Sequence, residues 1–294
     1  MFPALKYFIL FSLVGLLILS LMGCEKVVEK NDTQGTLIIR LTDTPFPIHL
    51  IDQAKVTINK IEIREPDADS EEGPYMVLFE AETAEEELEY DLLELQNGVT
   101  ADLVQLEVPE GIYDLVRLYV SHAEIIVMDE NDQPIPFNLK VPSGPQSGIK
   151  IFIDPAIIVV GGLTEELLLD FDASRSFVVQ GNPETPAGIK GFHFKPVVRA
   201  INVSVAGQIA GKVTNSSLEP IEGAVVWIGE TGIENAVYKA YTDSDGQYKL
   251  IGVAAGKYTV YATKEGENYN TAESLDVIVN IGNTTEVNFI IDLQ

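Results

Sequence analysis

Ala54-Lys55-Val56-Thr57-Ile58-Asn59-Lys60-Ile61-Glu62-Ile63 is the stretch on which the fold turns. Apart from Ala54 its aliphatic residues are all β-branched and stand among polar ones, the signature of a strand whose successive side chains face opposite sides. Val56 and Ile58 share one face by that period, and Ile61 and Ile63 share the other. All four point inward only if a bulge or twist breaks the period near Asn59-Lys60.

Similar runs extend in both directions. Residues 36–41, 112–120, 124–128, 149–153, 166–171 and 195–205 are rich in Val, Ile, Leu, Tyr and Phe. Gly, Pro, Asn and Asp punctuate them. Residues 84–95 alone hint at a helical stripe. Many short strands at regular spacing predict an all-β chain of two tandem β-sandwich domains. The stretch from Gly207 to Leu293 carries its own set of strands, which places a boundary near Ala206. The expected organisation is a signal peptide over 1–23, a tether over 24–34, and domains over 35–205 and 206–294.

Composition narrows the function classes. The 294 residues suggest two domains at about 150 residues each. Forty-five acidic against 19 basic residues give a formal charge of −26, a field that repels nucleic acid. With 46% hydrophobic residues the chain can still build packed cores. One cysteine permits no internal disulfide, and three histidines leave little material for a zinc site.

That cysteine has a context. Residues 1–23 form one apolar run behind Lys6, ending Leu21-Met22-Gly23-Cys24. The ending resembles the lipobox of bacterial lipoproteins, although Met22 stands where a small residue is usual. The resemblance implies cleavage before Cys24, diacylation of its thiol and acylation of the new N-terminus. More than one chain makes such an anchor stable, since each buried methylene contributes roughly 0.8 kcal/mol. The polar segment 25–34 reads as a tether holding the body off the bilayer.

Few residues suggest chemistry. Residues 65–94 contain thirteen acids and no base, read as a solvated strand edge or as a cation- or partner-binding surface. Asp243-Ser244-Asp245-Gly246 makes Asp243 and Asp245 the cation candidates. The segment lacks the trailing glutamate of a calcium loop, which favours a turn in which Asp bonds nearby amides. Thr42-Asp43-Thr44-Pro45 reads as a strand-ending turn capped by Asp43, or as a polar rim of a ligand site. His122 and Glu124 share a strand face without a third partner; His49 and His193 read as structural or surface histidines. No H-E-x-x-H, G-x-S-x-G or phosphate loop occurs. Neither a catalytic residue nor a cofactor is expected.

Two resemblances follow. Gly211-Lys212-Val213, Pro220 with Gly223-Ala224-Val225-Val226, Thr242-Asp243-Ser244-Asp245-Gly246-Gln247-Tyr248, Val253 to Gly256-Lys257-Tyr258-Thr259-Val260 and Gly266 appear in order. This is similar to the carboxypeptidase regulatory-like, or transthyretin-like, β-sandwich, a non-catalytic module. Residues 35–45, 54–63, Asp91-Leu92-Leu93-Glu94-Leu95, Val108-Pro109-Glu110-Gly111-Ile112-Tyr113 and Phe192-His193-Phe194-Lys195-Pro196 resemble an uncharacterised domain family of Gram-negative envelope lipoproteins. One internal echo is visible: Val108-Pro109-Glu110-Gly111-Ile112-Tyr113-Asp114-Leu115 against Val253-Ala254-Ala255-Gly256-Lys257-Tyr258-Thr259-Val260. It indicates either two distantly similar sandwiches or shared turn chemistry.

The expected function is a non-enzymatic outer-membrane lipoprotein, periplasmic or surface-facing, presenting its domains for binding, adhesion or scaffolding. Its partners would be the membrane, through the lipid, and a protein or glycan. The alternatives are a glycan-binding accessory protein of a nutrient-uptake system and a surface-fibre subunit. In the fibre, a terminal strand such as Val287-Asn288-Phe289-Ile290-Ile291 would complete a neighbour's sheet.

Overall fold

Beta-branched and aromatic runs between turn residues become strands throughout. The computed structural model describes residues 33–45, 50–67, 73–142, 147–229, 232–233 and 236–294. The lipobox, His49, Asp69, Glu71 and Glu72 lie outside them. The first half holds β1 (Gln34–Thr44), β2 (Ile51–Arg64), β3 (Tyr75–Glu80), β4 (Leu88–Asp91), β5 (Ala101–Pro109) and β6 (Gly111–Met128). It continues with β7 (Pro134–Asn138), β8 (Ile149–Val159), β9 (Thr164–Asp172), one helical turn α1 (Ala173–Ser176), β10 (Phe177–Gly181), β11 (Ile189–Phe194) and β12 (Val198–Asn202). The second holds β13 (Ala206–Thr214), β14 (Val225–Ile228), β15 (Lys239–Tyr241), β16 (Gln247–Ala254), β17 (Gly256–Thr263), β18 (Ala272–Val279), β19 (Thr284–Glu286) and β20 (Phe289–Ile290). The chain is all-β, in two tandem sandwiches.

In the first sandwich a single sheet path runs β3-β2-β6-β8-β12-β9-β1-β5. Only the Ala200–Ile153 rung joins β12 to β8, so the path folds there into two layers over one core. Val56, Ile58, Ile61 and Ile63 are all fully buried in that core. The bulge their spacing requires is present: opposite β6, Ile58 pairs with Val120 and Lys60 with Tyr119, leaving Asn59 unpaired. The β10–β11 hairpin adds Phe177 and Phe194, which stack on Phe171 with ring centroids 5.1–6.5 Å apart.

The helical hint over 84–95 is corrected. Two 3-10 turns flank β4 there, because Leu88 and Tyr90 pair with β2 while Asp91 caps the second turn through Leu93 N–H at 3.1 Å. Sheet pairing overrides a weak local preference.

In the second sandwich, β16-β13-β19 with β20 faces β15-β14-β17-β18. Val287, Phe289 and Ile291 close this domain's own core, and β20 pairs with β13. Tyr238 packs on that core and Tyr241 on a smaller cluster around Trp227, so both faces of the sheet are covered.

The internal echo extends far beyond eight residues. In β1–β5 the partners are Gln34–Pro109 and Gly35–Val108; in β13–β16 they are Ala206–Ala254 and Gly207–Val253. Rungs Gly111–Val159, Ile112–Ile158 and Tyr113–Ile157 of β6–β8 match Gly256–Val279, Lys257–Ile278 and Tyr258–Val277 of β17–β18. Parallel pairing repeats too, Thr36 with Thr164 and Gln208 with Thr284. A Cβ on Gly35 would lie 2.5 Å from the Val160 carbonyl, and one on Gly207 2.3 Å from the Asn280 carbonyl. Only glycine fits either close approach. Core positions correspond as well: Leu37 with Ile209, Leu41 with Val213, Leu169 with Phe289 and Phe171 with Ile291, all buried. The two sandwiches share one strand plan, elaborated in the first.

Candidate functional site

Polar residues interrupting apolar strands converge where the sandwiches meet. Asp43 and Thr44 end β1, Asp170 and Asp172 end β9, Arg199 lies on β12, and Lys239 starts β15 of the second sandwich. Asp43, Thr44, Asp170, Asp172 and Lys239 are all buried. Each needs a partner, since an unpaired buried charge is strongly disfavoured. Asp43 accepts hydrogen bonds from Ala173 N–H at 2.9 Å and Gln96 Nε2 at 3.4 Å. Asp170 is paired with the Arg199 guanidinium and accepts from the Thr44 hydroxyl at 3.0 Å. Asp172 accepts from Ser174 Oγ and Arg175 Nε, both at 2.6 Å, and from Arg175 N–H at 3.1 Å. Lys239 then reaches across to donate to Ser174 Oγ at 3.0 Å.

Burial pushes the Asp43 carboxyl well above the usual carboxylate range, with Asp170 and Asp172 adding to the rise and the Ala173 amide opposing it. Burial also lowers the Lys239 ammonium, which Asp172 and Asp43 partly restore. The cavity lined by Asp43, Asp170, Arg199 and Lys239 is about 30 Å³, room for a single water. This cluster is built as a clasp, and a substrate has no space in it.

A second contact reinforces the clasp. The Asn97 side chain accepts from Lys249 N–H at 2.6 Å and donates to the Gln247 carbonyl at 3.3 Å. It thereby completes a rung on the open edge of β16, much as another strand would. The Arg199 guanidinium lies 4.8 Å from the Tyr238 ring centroid, and Gly252 packs against Ile201 and Leu168.

Open space lies elsewhere. A groove of about 970 Å³ runs over β13, β16, β19 and β20, lined by Lys212, Thr214, Asp243, Lys249, Glu286 and Asn288 among others. Its aromatic members, Tyr248 and Phe289, are buried, so its accessible lining is amide, charge and aliphatic. Asp243 turns its carboxylate onto Asp245 N–H at 3.0 Å and Gln247 N–H at 2.8 Å, while Asp245 stays exposed.

The other sequence candidates are scattered. Asp43 belongs to β1 itself, not to a turn following it, and caps a backbone amide brought from α1. His122 is exposed on β6, and His193 is exposed on β11 beside Gln180. Acids of the 65–94 stretch lie along the bases of β2: Glu89 is 3.4 Å from Lys55 and Glu80 3.2 Å from Lys60. Among the described residues no three His, Cys, Asp or Glu side chains gather to hold a metal ion. Sequence reasoning missed Asp170, Asp172, Arg199 and Lys239. The available signal was Asp170 and Asp172 inside the run Leu167-Leu168-Leu169-Asp170-Phe171-Asp172, where an apolar strand should continue.

Among the described residues no helix is long and apolar enough to cross a membrane. No curated protein matches the chain. Among solved structures, a cohesin–X-dockerin complex of Acetivibrio cellulolyticus is 31% identical over 28% of this chain, with a TM-score of 0.22. The chain spans about half, 52%, of that chain's length. The minor pilin GBS52 of Streptococcus agalactiae is 11% identical, covering 88% of this chain and 96% of its own, with a TM-score of 0.24. The shaft pilin SpaA of Lactobacillus rhamnosus GG is 10% identical, covering 89% and 98%, with a TM-score of 0.27. A family model for the carboxypeptidase regulatory-like domain matches residues 208–292, which makes the second sandwich transthyretin-like. A second family model matches residues 34–196, more than half of the chain, and the chain belongs to the family described as a domain of unknown function (DUF4382).

Proposed function

We propose that this is a lipid-anchored cell-envelope protein that transforms no substrate and presents two clasped β-sandwiches as one binding unit. The observation that carries the reading is the contrast between two of its concavities. The buried cluster of Asp43, Asp170, Arg199 and Lys239 lines about 30 Å³ and is consumed in joining the sandwiches. The roomy groove of about 970 Å³ offers amides, charges and aliphatic surface suited to holding a polypeptide. A glycan would favour an accessible aromatic platform, so a protein partner fits this lining better. The anchoring reading rests on Leu21-Met22-Gly23-Cys24, and with it we assign the unit to the outer membrane.

Expression of the full chain in a Gram-negative host with labelled palmitate tests the anchor. The parent incorporates label and fractionates with membranes, and Cys24→Ser does neither. Membrane partitioning that survives Cys24→Ser overturns lipidation. Reproducible hydrolase or transferase turnover by the purified protein overturns the non-enzymatic reading.

A further inference from the structure

The shared strand plan supplies an internal control for surface residues. At the end of the first sandwich where β1 begins, the β5–β6 and β8–β9 turns come together. Glu110 N–H bonds the Thr33 carbonyl at 2.8 Å, Gly162 N–H the Gln34 carbonyl at 2.9 Å, and Thr36 N–H the Leu163 carbonyl at 2.8 Å. Four aliphatic side chains stand in solvent there: Ile112 (48% exposed), Ile158 (57%), Val160 (45%) and Leu163 (56%). Ile112 and Ile158 are cross-strand partners, Val160 follows Ile158 on the same strand face, and Leu163 closes the turn.

The second sandwich builds the same end with the same hydrogen bonds, Gly282 N–H to Ala206 O and Gln208 N–H to Asn283 O. Its equivalents of Ile112, Val160 and Leu163 are Lys257, Asn280 and Asn283, all exposed; the Ile158 position stays aliphatic, as Ile278, and Ile281 (54% exposed) stands in the turn where the first sandwich has Gly161. The fold therefore accepts polar residues at three of these four positions, and the first sandwich carries four exposed aliphatic side chains where the second carries two. A clustered exposed patch of this kind marks a contact surface.

The chain itself indicates the occupant. Thr33 enters at this end, and Cys24 lies only nine residues before it. At roughly 3.3–3.6 Å per extended residue, nine residues reach at most about 30 Å, which bounds how far Thr33 can stand from an acylated Cys24. We propose that the Ile112–Ile158–Val160–Leu163 tip seats on the lipid bilayer, its aliphatic side chains entering the headgroup–acyl boundary and orienting the clasped sandwiches. This rests on the lipid-anchor reading. Interfacial apolar faces enter that boundary to about 5–10 Å. Glu110 sits in the β5–β6 turn and the chain carries −26, so the tip suits a zwitterionic rather than an anionic leaflet.

The test uses the acylated full chain in phosphatidylcholine–phosphatidylethanolamine vesicles. Acylated Cys24 has no thiol, so Ile158→Cys supplies the sole site for an environment-sensitive fluorophore, and Ile278→Cys labels the matching position in the second sandwich. The Ile158 label should shift to the blue and lose most of its emission to brominated lipid, while the Ile278 label keeps its own. Adding I112K, V160N and L163N, the second sandwich's own residues, should abolish the quenching without changing the cooperative unfolding transition. Vesicle-bound protein whose Ile158 label stays unquenched overturns the inference and leaves the anchor standing, as does equal quenching at Ile278. A blue shift in vesicle-free solution accompanied by a dimer's mass assigns the tip to self-association and overturns it. Parent protein that takes up thiol label and fails to float with vesicles overturns the anchor reading, and the tip proposal with it.

Discussion

The two sandwiches hold the same strand plan at their far ends and use it in opposite ways. In the first, β1 and β9 end in Thr44 and Asp172, and that end is buried against the second sandwich. In the second, the equivalent residues are Ser216, which is exposed, and Asp292, which is only half-buried. Asp292 accepts from the Ser216 amide at 2.9 Å and from its hydroxyl, and those bonds lower its pKa. Asp43 accepts a backbone amide as well, yet burial raises its pKa. Hydrogen bonding to a carboxylate is thus overruled once water is removed. One fold gives a solvated cap at one end of the molecule and a clasp at its middle, and solvent access decides which.

The largest expected effect comes from breaking the clasp. Arg199→Met removes the guanidinium that pairs with buried Asp170 and should cost about 3–5 kcal/mol in urea unfolding, the penalty for orphaning a buried charge. Asp292→Asn in the solvated counterpart should leave the midpoint nearly where it was. Equal losses would dissolve the distinction between clasp and cap.

Acid-base behaviour sharpens it. Asp43 has a raised folded pKa, so its contribution is complete below the unfolded value of 3.8. Above that pH the unfolded chain releases the proton first, and stability falls until the folded pKa is passed. Asp292 has a lowered folded pKa; its contribution is present above 3.8 and fades as pH falls through the folded value. Stability–pH curves should therefore flatten in opposite directions: Asp43→Asn removes a decline above pH 3.8, and Asp292→Asn removes a loss on the acid side.

Asn97 comes next. Asn97→Ala removes both bonds to the edge of β16 and leaves the Lys249 amide without its partner, a loss of about 1–3 kcal/mol. Hydrogen exchange should show Lys249 N–H losing protection while the β13 amides keep theirs. Unchanged protection at Lys249 would mean that the clasp does not depend on this edge rung.

What was legible in the sequence follows the range of the interactions involved. The strand 54–63 and its bulge could be read because period two is local and four β-branched aliphatic residues in ten positions permit one solution. The turn over 242–248 could be read because Asp243 and Gly246 act within four residues of each other. Most of the strand plan shared by the sandwiches was hidden. Equivalent core positions hold different apolar residues, such as Leu169 and Phe289, and insertions change the spacing between them. The clasp was hidden more deeply, since Asp43, Asp170, Arg199 and Lys239 arrive from four strands and two sandwiches. Only the polar breaks in β9 and β12 could have flagged it.

The smallest predicted effect tests the part of the plan that was visible. Tyr113 donates to the Pro109 carbonyl at 2.9 Å and Tyr258 to the Ala254 carbonyl at 2.8 Å. Each spans the turn that carries the chain from one layer of its sandwich to the other, in the manner of a tyrosine corner. The bonds match, but Tyr113 is 3% exposed and Tyr258 is only half-buried. Phenylalanine keeps each ring and deletes one donor, so it isolates the bond from the packing. At position 113 water cannot readily replace the lost donor, and the Pro109 carbonyl keeps an unmet need; about 0.5–1.5 kcal/mol should be lost. At position 258 water reaches the turn and compensates, so Tyr258→Phe should shift the chemical midpoint by a clearly smaller amount. If the two shifts are equal, or if position 258 is the more sensitive, burial is not what separates the two copies of this turn.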